Sequence, residues 1–239
     1  MTSYFNVIYL TLCHLYFVEG ATQTCAIKQN SSIKNKTTTS WMFQESLVSS
    51  KLDCAAQCLT NPSCITYMIN RNTKVCRLFS TRITQYNTLT SEAGYLSYDT
   101  CRATDAFGSP CSSNSNCKLA NTICVDNMCQ CDAGWSYSQN TLQCVRSCVQ
   151  YGTMFTKIKQ SYISGNDLIT LTAPQYITAS GCGQACVAVT SFTCLSFELD
   201  TTFGRCYLQS VTPFLVSLLD FLQLLGTTVD YYQRNCAYV

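Results

Sequence analysis

The chain contains 239 residues, of which 19 are cysteine, and its formal net charge is only +2. With 47% hydrophobic and 12% charged residues, the composition excludes a disordered tail protein, and the near-neutral charge gives no sign of nucleic-acid binding. So many cysteines favour several small disulfide-stapled modules over one large core.

The N-terminal segment has the features of a secretory signal peptide. A mostly apolar run extends from Phe5 to Val18, and Val18 and Gly20 are small enough for the −3 and −1 positions of a cleavage site. The amino terminus of Met1 supplies the only positive charge before this run. A membrane anchor needs about 20 apolar residues, so we expect cleavage after Gly20; the alternative is an uncleaved anchor. A secreted, extracellular protein follows.

Removal of residues 1–20 also limits the available chemistry. It takes away His14, the only histidine, and Cys13, which leaves 18 cysteines, an even number. Without histidine there is no Ser–His–Asp or Cys–His mechanism and no imidazole ligand for zinc. Fully paired cysteines supply no thiolate. We therefore expect no enzyme activity, no cofactor and no metal.

One carboxylate pair remains as a catalytic candidate. Glu198 and Asp200 are two residues apart, and so share one face if this segment is a strand. Paired carboxylates are the machinery of glycoside hydrolysis. A solvated strand face is the simpler interpretation, and we favour it.

The remaining cysteines fall into three groups of six, and the first and last groups form an internal repeat. Their central spacings are Cys-x3-Cys-x5-Cys-x11-Cys and Cys-x3-Cys-x7-Cys-x11-Cys. The first group is Cys25, Cys54, Cys58, Cys64, Cys76 and Cys101. The middle group is Cys111, Cys117, Cys124, Cys129, Cys131 and Cys144. The last group is Cys148, Cys182, Cys186, Cys194, Cys206 and Cys236.

Each outer group predicts one helix packed on β-strands. In the first, Ser50 begins a sequence typical of a helix cap, and Cys54 and Cys58 lie at i and i+4 on one helix face. Pro62 predicts the helix end, because the residue before a proline avoids helical backbone. Two short runs rich in β-branched and aromatic residues then predict a hairpin. The last group repeats this pattern.

These residues resemble the core of a PAN/apple domain. The similarity rests on Cys54-Ala-Ala-Gln-Cys58, on Asn61-Pro-Ser-Cys64 followed by Tyr67, and on the second copy with Phe197 near the place of Tyr67. The resemblance implies an antiparallel sheet crossed by one helix, and binding to proteins or glycans without catalysis. It also implies the pairs Cys25–Cys101, Cys54–Cys76, Cys58–Cys64, Cys148–Cys236, Cys182–Cys206 and Cys186–Cys194.

The middle group resembles an EGF-like or EB module, most specifically in Cys129-Gln-Cys131 followed by Gly134 and Trp135. The resemblance implies a small β module in which Trp135 is a core residue rather than a ligand-binding aromatic. Only Asp105 stands where calcium-binding relatives carry several acidic and amide groups, so calcium is not expected. The implied pairs are Cys111–Cys124, Cys117–Cys129 and Cys131–Cys144.

Two surface features stand out in the first repeat. Asn30 and Asn35 each begin an Asn-X-Ser/Thr sequon, and we expect glycan on at least one of them. Residues 21–101 hold eight Lys and Arg against four Asp and Glu. These cations could bind a sulfated glycan, but no run of adjacent basic residues supports this, and we favour an ordinary solvated face. The candidate anion-binding residues are Lys51, Arg71, Lys74, Arg77 and Arg82.

The segment 213–225 breaks the symmetry of the repeat, because it is apolar where the first repeat is polar. Thr212 as N-cap, Pro213 at the first position and Gly226 beyond the end predict a 13-residue helix. Packing on its own sheet, a homodimer or partner surface, and an apolar ligand pocket are the alternatives. The candidate interface residues are Phe214, Leu218, Phe221 and Leu225.

The predicted architecture is a disulfide-rich, multidomain α+β protein. After the signal peptide, 1–20, come an apple-like first module, 21–101, an EGF/EB-like middle module, 102–147, and an apple-like second module, 148–239. No membrane span is expected. The predicted function is extracellular, adhesion-type recognition of a protein or glycan. A secreted inhibitor that occupies a partner's binding surface and a matrix component are the alternatives.

Overall fold

A computed structural model describes residues 26–85, 87, 89–217 and 219–239. The predicted signal peptide, Cys25 and Leu218 therefore lie outside the described residues. No helix in the described part of the chain is long and apolar enough to span a membrane.

The first module is an antiparallel sheet crossed by one helix, as predicted. Its elements are β1 (Lys28–Asn30), β2 (Lys36–Thr37), β3 (Met42–Leu47), α1 (Lys51–Thr60), β4 (Thr66–Asn70), β5 (Val75–Phe79), β6 (Thr90–Ser91) and β7 (Tyr95–Asp99). The main sheet has the strand order β1-β7-β4-β5-β3, while β2 and β6 pair separately. The core lies between α1 and the sheet, where the rings of Tyr67 and Tyr98 stack with centroids 5.0 Å apart.

Helix α1 begins and ends where the sequence predicts. The Ser50 hydroxyl accepts a hydrogen bond from the Asp53 backbone amide at 3.2 Å, and Asn61, before Pro62, is the C-cap residue. Cys54 and Cys58 are fully buried on the face toward the sheet. Disulfides from these two residues join the helix to β5 and to the segment before β4.

Arg102 closes the C-terminal end of α1, and no sequence pattern indicated this. Its guanidinium donates to the backbone carbonyls of Leu59 at 2.9 Å, Asn61 at 2.7 Å and Cys64 at 2.9 Å. The last carbonyls of a helix lack intrahelical partners, and a cation also complements the helix dipole there. Arg102 therefore anchors the helix to the chain that leaves the sheet.

The middle module consists of two hairpins, β8 (Thr122–Val125) with β9 (Met128–Cys131), and β10 (Ser136–Ser138) with β11 (Gln143–Val145). Asp126 and Asn127 both have positive φ and form the two-residue turn of the first hairpin. The comparison with an EGF-like or EB module stays a prediction.

The second module repeats the first. Its elements are β12 (Tyr151–Ile158), β13 (Ser161–Ile163), β14 (Ile169–Leu171), α2 (Ala179–Ala188), β15 (Ser196–Asp200), β16 (Arg205–Gln209), β17 (Phe221–Gln223) and β18 (Val229–Cys236). The sheet order β12-β18-β15-β16-β14 matches that of the first module strand for strand, and β13 pairs with β17. The chain is thus a disulfide-rich α+β protein with two equivalent sheet-and-helix units.

Eight disulfides are described, and each joins two cysteines that the family resemblances pair. Cys101 is also disulfide-bonded, and its predicted partner Cys25 lies outside the described residues. The described bonds are Cys54–Cys76, Cys58–Cys64, Cys111–Cys124, Cys117–Cys129, Cys131–Cys144, Cys148–Cys236, Cys182–Cys206 and Cys186–Cys194.

The predicted helix over 213–225 is wrong. The segment forms turns and then β17, whose Phe221 pairs with Ile163 of β13. Phe221 packs edge-on against the buried ring of Tyr231, with centroids 5.6 Å apart. Gly226 does adopt a positive φ, of 93°, but it serves the turn after β17 rather than a helix end. Strand pairing and burial of Phe221 outweigh the local helical preference, since propensity is a weak term beside tertiary packing.

The middle module is in contact with both sheets. Tyr137 is fully buried, and its ring stacks on Phe107 at 4.1 Å and meets Trp41 edge-on at 5.5 Å. Its hydroxyl donates to the Ser80 carbonyl at 2.5 Å, and its backbone amide donates to Oδ1 of Asn235 at 2.6 Å. The same residue therefore bonds to the first and to the second module.

We expect Arg102→Ala to lower the free energy of unfolding by about 2–3 kcal/mol, because several half-buried carbonyls lose a charged donor. Arg102→Lys keeps the charge without the forked geometry and should fall in between. Urea unfolding with the disulfides intact measures both effects. Equal midpoints for Arg102→Ala and wild type would show that the cap contributes nothing.

We expect Phe221→Asp to be poorly secreted and destabilised by about 2–4 kcal/mol, because it removes a ring packed on Tyr231 and places a carboxylate there. Leu225→Asp is the matched control, since Leu225 is 96% exposed and should tolerate the same charge. Secretion yield and thermal unfolding of the two variants provide the comparison. Normal secretion of Phe221→Asp would contradict the observed packing.

Candidate functional site

The five cations predicted to bind anions do not form one surface. Arg77 donates to Glu45 at 2.6 Å and lies 3.9 Å from Glu92, and Arg82 donates to Asp99 at 3.1 Å. These two guanidinium groups are therefore already neutralised by carboxylates of their own module. Burial raises the pKa of Asp99, and the nearby Arg82 opposes that shift.

The other three predicted cations are exposed. Arg71 and Lys74 lie in the turn between β4 and β5, and Lys51 is the first residue of α1, with its ammonium 5.1 Å from the centroid of the Tyr98 ring. None of the three forms an ion pair with an acidic group in the described ranges. The backbone of Lys74 bonds to Val48, just before α1, so these cations share one end of the sheet. This cluster is the part of the prediction that remains available to an anionic ligand.

A cleft of about 330 Å³ opens on the second module. It lies on the face of the sheet opposite α2, because Phe197 and Leu199 point toward the helix and the alternate residues of β15 point away. Its lining includes Tyr162, Asp167, Glu198, Asp200, Tyr207 and Val229. No motif in the sequence predicts this cleft. Strand alternation places Glu198 and Asp200 on one face, but the partners from β13 and β16 depend on the tertiary fold.

The interpretation of Glu198 and Asp200 as a solvated strand face is wrong, since their exposures are only 4% and 6%. Asp200 caps the turn after β15, where its Oδ1 accepts hydrogen bonds from the backbone amides of Thr202 at 2.9 Å and Phe203 at 3.1 Å. Asp200 thus has a structural role in holding this turn.

Glu198 is in a different environment. Its Oε1 accepts hydrogen bonds from the backbone amide of Ile163 and from Nε2 of Gln209, the latter at 2.9 Å. Burial raises the pKa of Glu198 to about 7, helped by the negative charge of Asp167 and opposed by the two hydrogen bonds. The carboxyl group therefore changes charge near neutral pH.

The asparagines of the two predicted glycosylation sites differ in their hydrogen bonds and in their exposure. The side chain of Asn30 donates to the Ile83 carbonyl at 3.1 Å and accepts from Ser32 at 2.6 Å. Asn35 is exposed, and its Oδ1 accepts from the Gly94 amide at 3.1 Å. Asn35 therefore offers the more accessible amide nitrogen, and glycosylation at both sites stays a prediction.

The predicted interface residues separate into different environments. Phe221 packs in its own module, while Phe214 meets Trp135 of the middle module edge-on at 5.3 Å, beneath the guanidinium of Arg146. Leu218 lies outside the described residues. Leu225 is exposed, and so are Leu215 at 65% and Leu219 at 83%, neither of which was predicted.

The raised pKa of Glu198 makes the free energy of unfolding depend on pH. Its pKa of about 7 in the folded protein lies above the ordinary value of 4.5, so its contribution is fully present at low pH and is lost as pH rises through 7. Relative to Glu198→Gln, we expect wild type to lose about 3 kcal/mol of unfolding free energy between pH 4 and pH 8. Urea unfolding of both proteins across this range measures the difference. Parallel pH profiles would show that Glu198 has an unshifted pKa.

Comparison with known proteins gives a family and a structural relative. A model described as the PAN domain matches the chain twice, over residues 25–102 and 144–236. The chain is also similar to the solution structure of the two N-terminal apple domains of Toxoplasma gondii microneme protein 4, at 14% sequence identity and a TM-score of 0.25. That similarity covers 85% of this chain and 89% of the other. No curated protein matched the chain.

The family matches coincide with the two sheet-and-helix units and with their disulfides. PAN and apple domains are protein-binding or carbohydrate-binding modules, typical of extracellular proteins and typically without catalytic activity. Together the two matches extend over more than half of the sequence. The chain belongs to the PAN domain family.

Proposed function

We propose that this chain is a secreted recognition protein that binds extracellular protein or glycan ligands through its two PAN domains, with module boundaries at 21–101, 102–147 and 148–239. Membership of the PAN family supports an extracellular recognition role. The observation that carries the proposal is the joint fixation of both domains through Tyr137, which presents two binding modules in one constant arrangement.

The fixation extends beyond one residue. The backbone amide of Gly134 donates to Gln233 at 2.8 Å, and the Ser136 hydroxyl donates to the Arg234 carbonyl at 2.9 Å. On the other side, the Ser80 hydroxyl donates to Gln139 at 2.9 Å. With both domains fixed, two weak contacts to one ligand act at a high effective concentration without the entropy cost of ordering a flexible linker.

The first domain supplies a candidate surface for an anionic ligand. Lys51, Arg71 and Lys74 are exposed at one end of the sheet and have no acidic partner among the described residues. Arg77 and Arg82 are excluded from this proposed surface because they are held by carboxylates. A sulfated glycan or an acidic protein segment fits the remaining charge.

The second domain exposes four leucines of one short segment, here called the leucine surface: Leu215, Leu219, Leu224 and Leu225. Their exposures range from 48% to 96%, and large apolar side chains exposed in one segment favour contact with a partner. We propose that this surface takes part in binding, and a second copy of the chain is the first occupant to test. Light scattering of wild type and of Leu219→Asp distinguishes a dimer from a monomer.

Heparin retention tests the cationic surface of the first domain. We expect the full secreted chain to elute from heparin resin above physiological salt, because several clustered charges act together before screening removes them. Exchanging Lys51, Arg71 and Lys74 for Glu should abolish this retention.

A matched control exchanges Lys28, Lys118 and Arg205 for Glu, which changes the net charge equally at exposed positions outside the proposed surface. This variant should keep most of the retention. Elution of wild type at or below about 0.15 M salt would contradict a specific anion-binding surface.

A further inference from the structure

The two PAN domains provide an internal comparison, because their strands correspond residue by residue. In the first domain Met68 of β4 pairs with Arg77 of β5. In the second, Glu198 of β15 pairs with Tyr207 of β16. The correspondence is fixed by Cys76 and Cys206, which precede Arg77 and Tyr207 and form equivalent disulfides. Glu198 therefore stands where the first domain has a methionine.

In the first domain, side chains of the same domain fill the space around this position. Met68 is completely buried in an apolar cluster that includes Tyr95. The guanidinium of Arg77 lies 4.9 Å from the centroid of the Tyr95 ring and donates to Glu45 at 2.6 Å and to Thr37 at 2.6 Å. The face of the sheet opposite the helix thus holds a guanidinium between an aromatic ring and a carboxylate.

In the second domain the same place is the open cleft. Tyr207 stands at the position equivalent to Arg77. Asn70 pairs with Tyr95 in the first domain and Asp200 pairs with Val229 in the second, so Val229 stands where the first domain has Tyr95. The residues that line the cleft include three carboxylates and no lysine or arginine. Arg205, the residue before Cys206, lies over the ring of Phe203 and forms no ion pair with these carboxylates in the described part of the chain.

The two buried carboxylates of the cleft differ in whether the fold needs them. Asp200 has a counterpart in Asn70, whose Oδ1 also accepts from two backbone amides of the following turn. Glu198 has only Met68 as its counterpart, so the fold itself does not require a carboxylate there. Both donors to Glu198 use Oε1, and no hydrogen bond to Oε2 is formed among the described residues.

In its ionised form, a carboxylate that is 4% exposed and accepts hydrogen bonds through Oε1 alone destabilises the domain unless a cation neutralises it. Glu198 lines a cleft of about 330 Å³, a volume that suits one side chain rather than a polymer. Three carboxylates favour a cation over a neutral hydroxyl group, and the tyrosines Tyr162 and Tyr207 add aromatic surface of the kind that attracts guanidinium.

We propose that this cleft binds the cationic side chain of an arginine or lysine from a partner protein. The proposal deepens the recognition function and rests on it, because it names the chemical class of one contact made by the second domain. The partner's cation takes the place that Arg77 occupies in the first domain, with Glu198 as its main counter-charge and Asp167 at the rim.

The raised pKa of Glu198 adds a pH signature. A cation binds the ionised carboxylate, so affinity should fall about tenfold between pH 8 and pH 6, as the ionised fraction falls. Acidic residues and tyrosines face Glu198 from the surrounding elements, and Arg205 of β16 pairs with Asp200 of β15. The other titratable groups that line the cleft are Tyr162, Asp167, Asp200 and Tyr207, and Tyr231 interacts electrostatically with Glu198.

The test uses the full secreted protein with two small probes, N-acetyl-argininamide and its neutral analogue N-acetyl-citrullinamide, which has nearly the same shape without the charge. NMR titration should show binding of the arginine probe at the resonances of the cleft and none of the citrulline probe. Glu198→Gln should weaken binding at least tenfold and remove the pH dependence. N-acetyl-lysinamide should bind in the same place.

Two further variants distinguish a loss of binding at the cleft from a loss of folding. Asp167→Asn changes an exposed carboxylate of the cleft and should weaken binding several-fold even if Glu198→Gln folds poorly. Glu92→Gln, beside Arg77 in the first domain, should leave affinity unchanged. Equal binding of the two probes, or no effect of Glu198→Gln and Asp167→Asn, would overturn the proposal. Retained heparin binding in that case would show that the recognition function survives without this site.

Discussion

The arrangement of the whole molecule depends on the side chain of Tyr137, which is buried where the three modules meet. Its hydroxyl donates to the first domain and its backbone amide donates to the second. Burial raises the pKa of this hydroxyl well above its usual range, so it remains a proton donor at every physiological pH. A buried hydrogen bond of this kind is expensive to break because the carbonyl of Ser80 would be left without a partner. The middle module therefore holds the two domains in a fixed arrangement and is not a flexible spacer.

Within each domain, disulfides supply the stability that a larger hydrophobic core supplies in other proteins. Helices α1 and α2 each bury two cysteines on one face, and each pair reaches two different segments of the chain below. Domains of this size bury little apolar area, so covalent ties between helix and sheet hold the frame. The frame then tolerates large changes on the opposite face of the sheet.

That tolerance explains how two copies of one fold come to differ in chemistry. In the first domain the face opposite the helix is closed by apolar residues and by the ion pair of Arg77 with Glu45. In the second domain β13 and β17 cover part of this face, and the remainder opens into a cleft beside Glu198. Each substitution lies on the side of a strand that the disulfides do not touch. A duplicated module can thus keep its core and acquire a separate binding surface.

The sequence alone determined the repeat, the helix at Ser50, the position of the hairpins and, through the family resemblance, the cysteine pairs. These features depend on residues close together in the chain, on strong caps and on cysteine spacing. The segment 213–225 was predicted wrongly because its apolar pattern suits a helix locally, whereas pairing with Ile163 and packing on Tyr231 are non-local. The ion pairs and the burial of charged side chains also depend on non-local contacts. Nothing near Arg77 in sequence shows that Glu45 neutralises it, and nothing near Glu198 shows that Ile163 and Gln209 bury it. Only the tertiary structure decided these contacts, because strands distant in sequence bring their side chains together when the sheet forms.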